Sequence, residues 1–178
     1  MRSEVERLLA DYRESAPVNI EALIENLGIG LDAAADLPDG ISGHIKREDS
    51  GKYVIRANRS EHIYRRRFTM AHELGHFILH KSILDLSGGV NDNVMYRTDR
   101  DAAAYNSHIH AIHERQANSF AANLLMPDEK VREIWQQEAN ASGHVAKTPD
   151  LPTMYRRFEV SPSAMKWKLN NMELEVRD

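Results

Sequence analysis

Cysteine is absent from this 178-residue chain. Disulfides and thiolate ligands are thereby excluded, so any metal must be held through nitrogen and oxygen. The absence also suits a reducing cytoplasm. No apolar run approaches the roughly 20 residues that cross a bilayer, and Met1-Arg2-Ser3-Glu4-Val5-Glu6 has no apolar stretch of a secretory kind. Both observations point to a cytoplasmic protein without membrane association. A surplus of positive charge is missing too: a net charge of -4 gives no electrostatic reason for strong nonspecific binding to nucleic acid. What is present is ordinary for a globular protein, 42% hydrophobic and 28% charged. The length allows one domain with a real core, or a domain plus a small appendage.

The densest chemical signal is His72-Glu73-Leu74-Gly75-His76. Residues four apart share a helix face, so His72 and His76 can offer two imidazoles to one ion. Glu73 lies about 100° round the helix, placed to reach a water on that ion rather than the ion itself. Two imidazoles, a carboxylate and an open position are the parts of a zinc hydrolase. The flanks support a helix: Phe68, Ala71, Ile78 and Leu79 recur at three- and four-residue steps, as a core-packed stripe should. Gly75 costs helix stability by about 1 kcal/mol relative to alanine. It makes sense where another element must come close to the metal face.

Around this motif the chain reads as a mixture of helices and strands. Ser3 with Glu6 has the form of a capping box ahead of Val5, Leu8, Leu9 and Tyr12. Asn19 can cap a helix from Ile20 to Leu27 that Gly28 ends. Ile29 to Leu31 suits a short strand; Gly40 to Ile45 and Lys52 to Ala57 suit longer ones joined as a hairpin. The spacing predicts the motif helix from about Ser60 to His80, with Asn58-Arg59-Ser60-Glu61 as its capping approach. Lys81 to Ser107 is polar, holds Gly88-Gly89, and contains one possible strand at Val94 to Arg97. A connection of that length suits either a substrate-binding edge or a tolerated insertion. A second helix is expected from about His110 to Met126, ended by Pro127, with Ala117, Phe120, Ala121, Leu124 and Leu125 buried.

Two histidines leave a catalytic zinc one ligand short of the usual three. Glu114 extends the buried stripe of the second helix, and a carboxylate there is costly unless paired or bound to metal. His110 and His113 compete with it, since imidazole is the commoner zinc ligand.

The segments Arg67-Phe68-Thr69-Met70-Ala71-His72-Glu73-Leu74-Gly75-His76 and Glu114-Arg115-Gln116-Ala117-Asn118-Ser119-Phe120-Ala121-Ala122-Asn123-Leu124-Leu125-Met126-Pro127 resemble the ImmA/IrrE family of bacterial metallopeptidases. The resemblance extends over roughly residues 15 to 127. It implies an α+β fold with a zincin-like core: a small antiparallel or mixed sheet, the motif helix and a second ligand-bearing helix. It also implies Glu114, rather than His113, as third ligand beside His72 and His76, with Glu73 as catalytic base and Zn²⁺ as cofactor. Gln116 departs from a glutamate frequent in the family. The implied function is endopeptidase cleavage of a partner helix-turn-helix repressor of the Xre type, which releases genes under stress or on mobile elements.

On this reading residues 1–127 form the peptidase domain and 128–178 a C-terminal helical region. After a helix from Asp128 to Ala139, the stretch Leu151 to Leu174 forms two short helices, with Ser161 capping the second just before Pro162. Arg156, Arg157, Lys166 and Lys168 could face DNA in a helix-turn-helix arrangement, although packing on the catalytic domain suits the negative charge better. Tyr96, His110, His113 and Arg67 are candidates to stabilise an oxyanion, and the Lys52-to-Ala57 strand a candidate to pair with an extended peptide. Manganese or iron could replace zinc in such a triad. A different class of function is a non-proteolytic regulator that uses metal for structure and binds a protein or DNA partner. Glu73 argues against it, since a structural site needs no base.

Overall fold

A computed structural model describes residues 2–87, 89–90, 100–141 and 148–177. By contact density the chain forms two compact units: Ile20–Ala121, and Met1–Asn19 together with Ala122–Asp178.

The first unit is α+β. Helix α2 (Ile20–Asn26; α1 belongs to the other unit) leads into β1 (Gly30–Ala35), β2 (Gly43–Arg47) and β3 (Tyr53–Asn58). Helix α3 (Ile63–Leu79), α4 (Lys81–Ser87), the short β4 (Gly89–Val90) and most of α5 (Arg100–Leu125) follow. The strands make one mixed sheet in the order β1-β3-β2-β4. β1 runs parallel to β3, and β2 is antiparallel to both of its neighbours. Gly51, with φ +81°, turns the β2–β3 hairpin.

β3 is therefore an interior strand. Both of its main-chain edges are taken, by β1 and by β2. This overturns the expectation that Lys52 to Ala57 could pair with an extended peptide, because no free backbone edge remains to do so.

Strand β1 also runs further than expected, through Asp32-Ala33-Ala34-Ala35, a stretch of low strand propensity. Pairing with β3 supplies the hydrogen bonds that local preference does not. Asn58, expected to help start the motif helix, is buried and organises the preceding loop instead. Its amide donates to the carbonyls of Leu37, Pro38 and Ile41, and its oxygen accepts from Ser60. The helix starts later, with His62 as N-cap accepting from the Tyr64 amide.

Helix α3 lies against the sheet, and Ile45, Ile55, Met70 and Leu74 are fully buried with Ile20, Leu23 and Ile24 of α2. Each such side chain contributes about 1.5–3 kcal/mol by leaving water. Gly43 lets helix and sheet meet, since a Cβ there would overlap Thr69 Cγ2 of α3 and the Arg56 carbonyl. The apolar stripe is displaced from the expected one. Met70 and Leu74 join Ala71 in the core, Phe68 and Ile78 are half-buried, and Leu79 is exposed.

Helix α5 starts ten residues before the expected His110, on the alanine-rich Arg100-Asp101-Ala102-Ala103-Ala104. Alanine is the strongest helix former, and it overrides the polar appearance of that stretch. The possible strand Val94 to Arg97 lies outside the described residues.

The second unit is helical: α1 (Arg2–Arg13), the end of α5, α6 (Asp128–Ala141), α7 (Leu151–Phe158) and α8 (Pro162–Asn171). Its buried side chains include Leu9, Leu124, Leu125, Val131, Met154, Phe158, Met165 and Leu169. The caps follow the expected chemistry. Asp150 accepts from the Thr153 amide and Ser161 from the Ala164 amide, while Glu159 ends α7 with φ 52°. Lys168 does not face outward. It is buried, its ammonium on Asp128 Oδ1 at 2.5 Å and Asn123 Oδ1 at 2.9 Å, which removes it from the set of expected DNA contacts. Among the described residues, no helix is long and apolar enough to cross a membrane.

Candidate metal centre

Two helices of the Ile20–Ala121 unit bring three ligand groups together. His72 and His76 sit one turn apart on α3, and Glu114 projects from α5. The ligand atoms of all three lie within 4.8 Å of one another. The two Nε2 atoms are 3.0 Å apart; Glu114 Oε2 lies 3.2 Å from His72 Nε2, and Oε1 lies 3.1 Å from His76 Nε2. Gly75 permits this approach of the helices. A Cβ at that position would stand 3.0 Å from Phe120 Cδ1, 3.2 Å from Ala117 Cα and 3.3 Å from the Ala117 carbonyl oxygen.

The hydrogen bonds behind the ligands decide what converges at the centre. His72 Nδ1 lies 3.1 Å from Asn118 Oδ1, an amide oxygen that can only accept. The His72 proton is thus on Nδ1, and its Nε2 presents a lone pair. His76 Nδ1 lies 3.2 Å from His80 Nδ1, and His80 Nε2 lies 2.9 Å from Gln116 Oε1. The Gln116 oxygen accepts from His80 Nε2, which leaves His80 Nδ1 to accept from His76 Nδ1. The His76 Nε2 atom likewise presents a lone pair.

Two imidazole lone pairs and two carboxylate oxygens therefore face one point, a donor set that repels itself without a cation. A divalent metal fits it, with ligand types suited to zinc. Burial alone would raise the Glu114 carboxyl, but hydrogen bonds and charge from His72 and His76 outweigh it and hold it well below the usual carboxylate range. His80 is depressed, first by burial and further by His113 and His76, against the raising influence of Gln116.

Glu73 is buried, 2% exposed, and lines a cavity of about 200 Å³ with His72, Glu114, Asn118, Phe68 and Ser42. A carboxylate from the motif helix thus opens onto the space beside the ligand triad. His113, the competing ligand, stands behind His80, ring centroids 4.4 Å apart, and is not part of the triad. Tyr96 and the His110 side chain lie outside the described residues. Arg67 is buried, and the arginine that lines the cavity is Arg65.

The profile of the Peptidase_M78 family, described as the IrrE N-terminal-like domain, matches residues 37–170. The chain belongs to this family. Peptidase_M78 proteins are metallopeptidases, and the His72–His76–Glu114 grouping gives this member a place where a metal could be held. A curated relative, "Uncharacterized immunity region protein 2" of Bacillus phage phi105, is 27% identical over 128 residues, covering 72% of this chain and 69% of the relative. Among solved structures, a Mycobacterium tuberculosis transcriptional regulator is similar in fold, with a TM-score of 0.58 at 17% identity. The match covers 95% of this chain and 46% of that one, so the chain spans just under half of the regulator's length.

His80, Gln116 and Asn118 escaped assignment from sequence. A signal was available for two of them. His80 continues the four-residue spacing of His72 and His76, and Asn118 lies one turn beyond Glu114 on the same face.

Proposed function

We propose that this protein is a zinc-dependent endopeptidase whose substrate is a partner repressor of the Xre helix-turn-helix type. The observation that carries the reading is the convergence of four lone pairs, from His72, His76 and Glu114, beside a cavity lined by Glu73. Family membership supports peptidase chemistry. The relative from a phage immunity region is compatible with a role beside a repressor.

His72, His76 and Glu114 would hold the ion. Bound there, zinc would lower the pKa of a coordinated water to roughly 7 and polarise the scissile carbonyl. Glu73 takes the proton from the attacking water, and its burial keeps the carboxylate fixed toward the cavity. Asn118 and His80 hold the two imidazoles in orientation throughout. The cavity walls formed by Phe68 and Thr69 restrict water around the reacting group.

The test combines metal analysis of purified protein with incubation beside the repressor encoded by a neighbouring gene. Cleavage that falls by about 10²–10⁴-fold in Glu73→Gln, with zinc retained, supports the enzyme. A repressor left intact by both forms, and held in a stable complex by both, refutes it in favour of a non-proteolytic regulator.

A further inference from the structure

The ligand His76 is not locked by a direct acceptor, as His72 is by Asn118. Between it and the nearest amide oxygen stands another imidazole, that of His80. His80 is itself buried, 6% exposed. Its Nδ1 and His76 Nδ1, 3.2 Å apart, share one hydrogen bond, so one of the two must donate and the other accept. Gln116 makes that choice. Its amide oxygen, 2.9 Å from His80 Nε2, keeps the proton there and leaves His80 Nδ1 as an acceptor.

We propose that Gln116 and His80 act as a relay of positioning residues that selects the ligating tautomer of His76 without introducing charge. The proposal rests on the metal-site reading given above. If His80 held its proton on Nδ1, it would donate to His76 Nδ1, and the His76 proton would move to Nε2, the atom facing Glu114. Such an imidazole presents an N–H to the ion and cannot bind it.

The arrangement links two helices. Gln116 rides on α5, two positions from Glu114, while His76 and His80 are on α3. Docking of α5 therefore delivers a ligand and, through Gln116, sets the protonation pattern of a ligand on the facing helix. His113, also on α5, packs its ring against His80 and restricts the plane in which it can turn.

The experiment reads tautomers directly. ¹⁵N-labelled protein stripped of metal is examined at mildly alkaline pH through two-bond ¹H–¹⁵N couplings. The expected pattern is His76 with its proton on Nδ1 and His80 with its proton on Nε2. Gln116 is exposed, so Gln116→Leu should fold, which thermal unfolding checks. In that variant His80 and His76 should each become a tautomer mixture, and zinc affinity should fall by about 10–100-fold. Gln116→Glu, which still offers an acceptor oxygen, should restore both. An unchanged His76 tautomer in Gln116→Leu overturns the proposal, as does a wild-type His80 protonated on Nδ1. A loss of affinity with unchanged tautomers would mark Gln116 as merely structural and equally overturn it. If wild-type protein takes up no zinc, the metal reading fails, and the tautomers still decide the relay.

Discussion

Adding a single methyl group at Gly75 tests whether the two ligand-bearing helices are packed as tightly as their geometry indicates. On helix propensity alone, Gly75→Ala should stabilise the protein by about 1 kcal/mol. Against this stands the new Cβ, 3.0 Å from Phe120 Cδ1 and 3.2–3.3 Å from the backbone of Ala117. The phenyl ring of Phe120 is half-buried and can rotate away, but the main chain of Ala117 is part of α5 and cannot. The helix must then shift by a few tenths of an ångström. Overpacking of this kind costs about 1–3 kcal/mol. The strain outweighs the propensity gain, and the net loss should be about 1 kcal/mol, or roughly 2–4 °C in Tm for a chain of this size. Glu114 lies one turn before Ala117, so the shift moves the carboxylate away from the imidazoles. Zinc affinity should fall by about tenfold, in the range that misaligned ligand shells cost. Thermal unfolding of metal-free protein and a competitive zinc titration measure the two effects separately. A Gly75→Ala protein that melts higher and binds zinc as tightly as wild type would refute the reasoning.

Zinc affinity should weaken as the solution is made more acidic, because protons compete with the metal for the imidazole nitrogens, and a zinc titration at several pH values measures it. Tyr53, which donates to Asp85, has its phenol pushed up to about 12 from 10.0, first by burial and then by that hydrogen bond. A raised pKa means stability present below pH 10 and lost as pH rises toward 12; denaturant unfolding across that window should show a shallower decline in Tyr53→Phe. Asp150, whose carboxyl is held down by hydrogen bonding to Thr153, caps α7, and Asp150→Ala should cost about 1 kcal/mol near neutral pH. Its pKa is depressed, so that difference should vanish as pH falls below the ordinary 3.8, which acid unfolding of both proteins would show.

The parts of this molecule legible from sequence are those where one residue type answers one local demand. The pairing of His72 with His76 is legible from their four-residue spacing on a helix, and the structure sets the two side by side. Gly75 could be read as a point of close approach, and Phe120 and Ala117 supply the reason. Ser161 before Pro162 announced the start of α8. Where tertiary pairing overrides local preference, the reading ran short. The alanines of β1 are a strand because β3 offers hydrogen bonds, and those at the start of α5 are helical in keeping with alanine's own propensity. Asn58 looked like a capping residue, but its burial among three carbonyls is a long-range fact that spacing does not carry. The interior position of β3 depends on β1 pairing with it in parallel, a connection that leaves no mark in either strand. Glu114 stood out as a carboxylate on an apolar stripe, yet only the folded geometry separates it from His113, which faces His80 instead.

The distribution of the three candidate ligands over α3 and α5 carries a further consequence. An ion gripped by both helices would be a reversible cross-link between segments remote in sequence. Its binding free energy adds to the folding free energy as RT ln(1 + [M]/Kd), so each tenfold rise in free metal above Kd contributes about 1.4 kcal/mol. The robustness of the domain would then track how much metal its surroundings supply, and scarcity would loosen the scaffold at the same moment that it silenced the chemistry.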